Sequence, residues 1–204
     1  MAKNDAVKWT RAVQHLQGLA GECARMAGMP GSISPLRVVG LWTFGEILAD
    51  PTDLDGVNAV VVADVDAVPW LSRPHGAEHW ANASRMSRNP VTAFWRSSRT
   101  PVWNHLIERP LLLWDAAEGV RAEAFAALLA GTGDTVRTEG PSPAELDQRI
   151  DEELSLSLEA LRERVDLYEE KRWSPGKLTP ISDQLWEVGK GYLDLLDARA
   201  GRAT

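Results

Sequence analysis

The chain has 204 residues, of which 44% are hydrophobic, and it carries a formal net charge of −7 at pH 7. This length and apolar content suffice for a buried core and exclude an intrinsically disordered chain. The acidic balance argues against extensive binding to nucleic acid, because such binding neutralises many phosphates with Lys and Arg. Cys23 is the only cysteine, which excludes an intrachain disulfide, and we expect its thiol to be buried.

The sequence contains no signal for membrane insertion or secretion. No run approaches the roughly 20 apolar residues of a membrane-spanning helix. The N-terminal sequence MAKNDAVKW lacks the order of charged and apolar segments that is typical of a signal peptide. We therefore expect a cytoplasmic protein without a membrane partner.

The first predicted elements are a helix and two strands. Apolar side chains recur every three or four residues over 5–27 and predict a helix. Two β-branched and aromatic runs then predict strands over residues 36–45 and 56–65. Only the sequence DPTDLDG separates them, which is too short for a parallel crossover. The two strands are therefore expected to pair as antiparallel neighbours.

The central part of the chain alternates short elements. The pattern predicts a helix over about 77–88 and a turn over 95–101. A short helical turn, a third strand over 110–115 and a helix over 118–130 follow, and the connection after Gly131 leaves room for one edge strand.

The last third of the chain predicts two long helices. Ser142, Pro143 and Glu145 form a capping-box signature at the start of the first, over residues 143–172. The sequence SPGKLTP ends it, and a second helix is expected over 180–198. We expect the two to pack through one apolar seam, formed by Leu154, Leu158, Leu161, Val165, Leu185, Val188 and Tyr192.

Together these elements predict a mixed α/β (α+β) fold. Its sheet is small and largely antiparallel, is flanked by helices and is followed by a C-terminal helical hairpin. We expect residues 1–140 to form the α/β domain and residues 141–204 to form a hairpin packed on it. The long apolar helix faces also leave a homodimer open.

Two aspartates in the turn before the second strand raise the hypothesis of a metal-binding site. Asp53 and Asp55 flank Leu54, so in an extended segment both carboxylates point to one side and Leu54 points to the core. A hard divalent cation such as Mg²⁺ suits such a pair. A polar turn explains the same residues, because Asp favours turns.

The order of features over residues 36–116 resembles the nucleotidyltransferase superfamily of the DNA polymerase β type, especially its small minimal members. The matching sequences are TFGE, TDLDGVNAVVVAD and ERPLLLWD. The resemblance implies Mg²⁺-dependent transfer of a nucleotidyl group from a nucleoside triphosphate. It implies Asp53 and Asp55 as catalytic metal ligands, Asp115 as the third catalytic acid, and Gly45 and Glu46 beside the nucleotide.

A basic segment provides candidate phosphate-binding residues for this hypothesis. Residues 79–107 contain four arginines and no Asp or Glu. Within WRSSRTP, Arg96 and Arg99 flank two serines, and guanidinium groups bind phosphate in a bidentate manner. We expect them to contact the triphosphate, unless the segment is a solvated loop anchored by Trp95.

Two departures from the family support an alternative hypothesis. Glu46 stands where the family has serine, and Leu112 occupies the position of the third acid. The alternative is a catalytically inactive module of the same fold, which binds or assembles through its Trp- and Arg-rich segment or its helical hairpin. A zinc hydrolase is a distant third hypothesis, raised by His75 and His79 in HGAEH.

Overall fold

The computed structural model describes residues 7–31 and 34–202. These residues form a mixed α/β fold with a five-stranded sheet and two C-terminal helices packed together, which confirms the predicted fold class. Residues 5 and 6 of the predicted first helix lie outside the described residues. The elements are α1 (Trp9–Ala27), β1 (Val38–Phe44), β2 (Val57–Ala63), α2 (Ala77–Ala83), β3 (Val91–Ser97), β4 (Leu111–Asp115), β5 (Gly119–Val120), α3 (Ala122–Leu129), α4 (Pro143–Lys171) and α5 (Thr179–Arg202).

The strands follow the order β3-β2-β1-β4-β5 across the sheet. β1 pairs antiparallel with β2, as predicted, and antiparallel with β4. β2 and β3 pair in parallel. The last residue of β1 and the first residues of β2, β3 and β4 therefore lie at one end of the strands, which we name the Phe44 end. The opposite end is named the Val38 end.

The core of the sheet lies beneath α1 and α2. α1 packs against β1, β4 and α3, and buries one side along its whole length because its apolar residues recur at helical spacing. Trp80 of α2 and Trp95 of β3 meet edge to face, with ring centroids 5.7 Å apart. Burial of each large apolar side chain in this layer contributes about 1.5–3 kcal/mol to folding.

Two local predictions in the central part are wrong. Residues 91–97, part of which was predicted as a turn, form strand β3. The sequence pattern did not identify the end of this strand, because Arg96 is a charged residue within an otherwise apolar run. Arg96 is nevertheless buried, with only 1% of its surface exposed. Residues 101–110 contain no helical turn. There the side-chain oxygen of Asn104 accepts hydrogen bonds from the backbone N–H groups of Leu106 and Ile107.

Two further segments differ from the pattern. The helix expected over 77–88 ends at Ala83, because Arg85 takes a left-handed backbone conformation with φ of 57°. The connection after Gly131 contains a short 3₁₀ turn at Gly133–Val136 and, among its described residues, no strand. Gly131 itself has φ of 69°, which suits the predicted helix stop.

Contacts between residues divide the chain into two compact units. The first comprises Met1–Ala67 and Pro74–Gly140, and contains the sheet with α1, α2 and α3. The second comprises Val68–Arg73 and Pro141–Thr204. The sequence placed Val68–Arg73 in the α/β domain, whereas this short segment belongs with the helical hairpin.

The hairpin of α4 and α5 has a narrower buried seam than expected. The capping box at its start is confirmed, with the backbone N–H of Glu145 donating to Ser142 Oγ and the Ser142 N–H donating to the Glu145 carboxylate. Of the seven predicted seam residues only Val188 is buried, whereas Val165 is exposed and the other five are half-buried. The buried residues of the two helices are Arg149, Ile150, Glu153, Ser157, Val188, Gly191 and Leu195.

Candidate functional site

Asp53 and Asp55 precede β2 and lie at the Phe44 end of the sheet. Leu54 between them is buried and pairs with Val7 through two backbone hydrogen bonds of 2.7 and 2.9 Å. The two aspartates are exposed, and neither forms an ion pair with another described residue. Asp55 lines a small open cavity of about 230 Å³ with Asn89 and Thr92, and no Lys or Arg lines it among the described residues.

Gly45 and Glu46 lie at the same end, where β1 stops. Gly45 has φ of 84°, a left-handed conformation that favours glycine, and a Cβ there would approach the Asn58 side-chain nitrogen to 3.3 Å. Glu46 begins a short 3₁₀ turn and is exposed. The structure therefore gathers four of the predicted site residues, all uncharged or acidic, at the Phe44 end.

Asp115 lies at the Val38 end, opposite Gly40 of β1. Its carboxylate accepts hydrogen bonds from the backbone N–H groups of Ala117 and Glu118 at 2.9 and 2.8 Å, and pairs with Arg121 at 2.8 Å. Partial burial raises the pKa of Asp115, but the two N–H groups and Arg121 outweigh it and hold the pKa below its usual value. Asp115 therefore closes the turn between β4 and β5.

The three aspartates do not form one group. Gly40 and Phe44 are four residues apart along β1, which corresponds to roughly 13 Å of strand, and Asp115 lies at the far end of this distance from Asp53 and Asp55. Oxygen ligands of one Mg²⁺ ion lie about 2 Å from the metal. The expectation that Asp115 joins the other two aspartates is therefore not met by the geometry.

Arg96 and Arg99 also lie at the Val38 end, where β3 stops. Arg96 is buried and donates to the carbonyl oxygen of Pro101 at 3.2 Å. Arg99 pairs with Asp64 at 3.1 Å and leaves 62% of its side chain exposed. Because β2 and β3 run in parallel, these arginines follow the strand ends farthest from Asp53 and Asp55. Contact of these arginines with a triphosphate bound at Asp53 and Asp55 stays a prediction that their position does not support.

The described residues contain no group of three metal-ligating side chains. Within residues 7–31 and 34–202, no three His, Cys, Asp or Glu side chains are grouped so as to hold an ion. This excludes from the described chain both a three-carboxylate Mg²⁺ site and a zinc site with His75, His79 and a further ligand. Mg²⁺ at Asp53 and Asp55 stays a prediction.

The hairpin carries a feature that the sequence reasoning missed, and it begins with Trp70. This residue is 1% exposed and donates its indole N–H to Asp194 of α5 at 2.6 Å. Its backbone N–H lies 3.4 Å from Ser157 Oγ of α4. Arg73 pairs with Glu187 of α5. Segment Val68–Arg73 thus covers one face of the hairpin.

The face of α5 turned away from Trp70 is apolar and exposed. Trp186 exposes 65% of its surface, Leu193 60% and Leu196 39%. Trp186 and Leu193 border a shallow groove, which is also lined by Gly189, Lys190, Asp194 and Asp197. We name Trp186, Gly189, Leu193 and Leu196 the α5 stripe. Lys190 lies over the Trp186 ring, 5.3 Å from its centroid. The sequence signal was a second apolar row offset from Val188 and Leu195 by two positions.

The chain belongs to the family described as Domain of unknown function (DUF7711), whose model matches residues 7–201. No curated protein and no solved structure matches it. None of the described helices combines the length and apolar character that a membrane crossing requires. The resemblance to nucleotidyltransferases therefore stays a prediction.

Proposed function

We propose that this protein is a non-catalytic assembly module whose contact surface is the α5 stripe. The observation that carries the proposal is the exposure of Trp186 and Leu193 on one side of an ordered helix. Single exposed apolar residues are common, whereas the largest contiguous apolar patch of a monomer, typically about 300–600 Å², is often functional. Trp186, Leu193 and Leu196 together expose on the order of 300 Å².

Contacts on the opposite face of α5 fix the position of the α5 stripe. Gly191 packs so closely on the Trp70 carbonyl that a Cβ there would lie 1.9 Å from its oxygen. Asp194 accepts the Trp70 indole N–H, and Leu195 is fully buried. A rigid helix loses little conformational entropy on binding, so this support favours association.

The nucleotidyltransferase hypothesis has less support from the geometry. The residues assigned to metal and nucleotide lie at two opposite ends of the sheet. Asp115, which was predicted as the third acid, pairs with Arg121 and accepts hydrogen bonds from two backbone N–H groups. Both hypotheses assume the same fold. They differ in which surface of the chain carries the function.

The proposal is tested by the size of the complex that the full chain forms in extracts of the cells that produce it. Native size-exclusion chromatography should place the wild-type chain well above its monomer size. Trp186→Lys combined with Leu193→Lys should shift it to the monomer position without lowering its melting temperature, because both side chains are exposed. Trp173→Lys is the matched control, since Trp173 is 83% exposed outside the stripe.

The control variant should elute with the wild-type chain. A wild-type chain at the monomer position, or a double variant that still elutes with the wild-type complex, would contradict the proposal.

A further inference from the structure

We infer that the occupant of the α5 stripe is a second copy of this chain, bound through an antiparallel, two-fold pairing of the two hairpins. This inference rests on the proposed function and adds the identity of the partner. Three observations carry it: the constant register of α4 and α5, the placement of charges along the exposed face, and the distribution of large and small residues on α5.

The register follows from two contacts between the helices. A Cβ on Gly189 would lie 3.9 Å from Leu161, so these two residues are level. Arg199 forms ion pairs with Asp151 at 2.9 Å and with Asp147, one turn earlier on α4, at 3.5 Å. Ten positions backward on α4 therefore match ten positions forward on α5 to within about one turn. This relation relates heights on the two helices of the hairpin with that precision.

Two pairs of opposite charges are centred at similar heights. Lys190 and Asp197 lie about two turns apart beside the stripe, and their midpoint falls next to Leu193. Asp151 and Arg162 lie about three turns apart on α4, on either side of Leu158. By the register above, the two midpoints lie within about one turn of each other. All four charged side chains are exposed.

A single two-fold axis through this height satisfies both pairs. In an antiparallel pairing, residues equidistant from the axis face each other. Lys190 then faces Asp197 of the partner copy. Arg162 faces Asp151 of the partner copy, whose carboxylate also pairs with Arg199 of its own chain. A two-fold axis that brings opposite charges of the two copies together makes the surface complementary to itself, as an isologous interface requires. Binding of a different protein would not require opposite charges to be placed symmetrically on this surface.

The same axis matches side-chain sizes on α5. It places Trp186 against the last turn of the partner's α5, where Ala200 and Gly201 leave room for an indole ring. Along α4, Leu158 and the exposed Val165 extend the apolar surface. α5 has 24 residues, so the face of two adjacent helices covers on the order of 700 Å². Stable dimers bury about 800 Å² per partner.

Sedimentation equilibrium of the purified full chain tests the pairing. The wild-type chain should form dimers that dissociate on dilution. Lys190→Asp and Asp197→Lys should each weaken dimerisation about tenfold, because symmetry turns two attractive pairs into two repulsive ones. The double variant Lys190→Asp with Asp197→Lys should restore the wild-type dissociation constant. Glu163→Lys is the control, since Glu163 is exposed and lies off this face.

The outcomes separate this inference from the proposed function. A purified chain that stays monomeric at every concentration overturns the second copy, while a large complex in extracts would still support an assembly module. The proposed axis is wrong if neither single charge reversal weakens dimerisation. It is also wrong if the double variant does not restore the wild-type dissociation constant. Matching thermal melts of all variants show that a lost dimer does not result from unfolding.

Discussion

Trp70 donates its indole N–H to a carboxylate oxygen of Asp194 across 2.6 Å, although 124 positions separate the two residues. The hydrogen bond is charge-assisted, and Trp70 is almost fully buried. It ties a short segment between β2 and α2 to the helix that carries the exposed stripe. The stripe thus depends on contacts made on the other side of the same helix.

Gly191→Ala should destabilise the chain, because the new Cβ would lie 1.9 Å from the Trp70 carbonyl oxygen. We expect a loss of about 1–3 kcal/mol in the free energy of unfolding, measured by urea denaturation. Gly18→Ala is the control, since Gly18 is a helical glycine with open space around it. It should gain up to about 1 kcal/mol from helix propensity. Equal effects of the two substitutions would contradict the packing of Trp70 on α5.

Leu195→Ala and Leu193→Ala should differ strongly, although the positions are two residues apart on α5. Leu195 has no exposed surface, whereas Leu193 is 60% exposed. Truncation of the buried leucine should cost about 2–5 kcal/mol by transfer and cavity formation. Truncation of the exposed one should cost less than about 1 kcal/mol at concentrations where the chain is monomeric. Similar urea midpoints for both variants would show that the exposed face is misassigned.

Asp115→Asn should lower stability at pH 7 and leave it unchanged at low pH. The pKa of Asp115 is depressed in the folded chain, so ionisation of Asp115 stabilises the fold above the unfolded pKa of about 3.9. This contribution is lost as the pH falls through the folded pKa. The difference between the unfolding free energies of wild type and variant should therefore shrink below about pH 4. A difference that stays constant from pH 7 to pH 3 would refute the role of ionised Asp115.

Asp53→Asn should have no effect on nucleotide binding, because no Lys or Arg among the described residues lines the cavity beside Asp55, and we expect neither protein to bind a nucleotide. Calorimetric titration of the wild-type chain and the variant with ATP, in the presence of Mg²⁺, checks this expectation. Saturable heat in the wild-type chain that disappears in Asp53→Asn would favour the nucleotidyltransferase hypothesis instead. Asp50→Asn is the control for a general charge effect, since Asp50 is also exposed in the same turn.

The parts of the fold that were predictable depend on local signals. Ser142 and Glu145 identify a helix start within four positions, and the short turn between β1 and β2 allows only an antiparallel neighbour. Strand β3 was harder, because its partner β2 is parallel and distant in sequence, and because buried Arg96 interrupts its apolar pattern. Local patterns cannot identify which distant strand supplies a parallel pairing.

The candidate site was less predictable than the fold, for reasons of topology. Asp53, Asp55 and Asp115 have the residue types of a metal site, but their separation follows from the strand order and from the direction of β4 against β1. Trp70 shows the same limit, because its place on α5 depends on contacts more than a hundred positions away. The α5 stripe became visible once the exposure of Trp186 was known.

Site-specific photo-crosslinking at position 193 tests the central claim most directly. A photoreactive phenylalanine analogue replaces Leu193 in the full chain, and a matched chain carries it at Glu159, which is exposed on α4. On irradiation of the producing cells, we expect one discrete adduct from position 193, which yields peptides of the chain itself in mass spectrometry, and no adduct from position 159. Peptides of one other protein would still support the proposed assembly module. They would contradict the inference that the partner is a second copy of this chain. No adduct at position 193, or equal adducts at both positions, would contradict the claim that the α5 stripe is a contact surface.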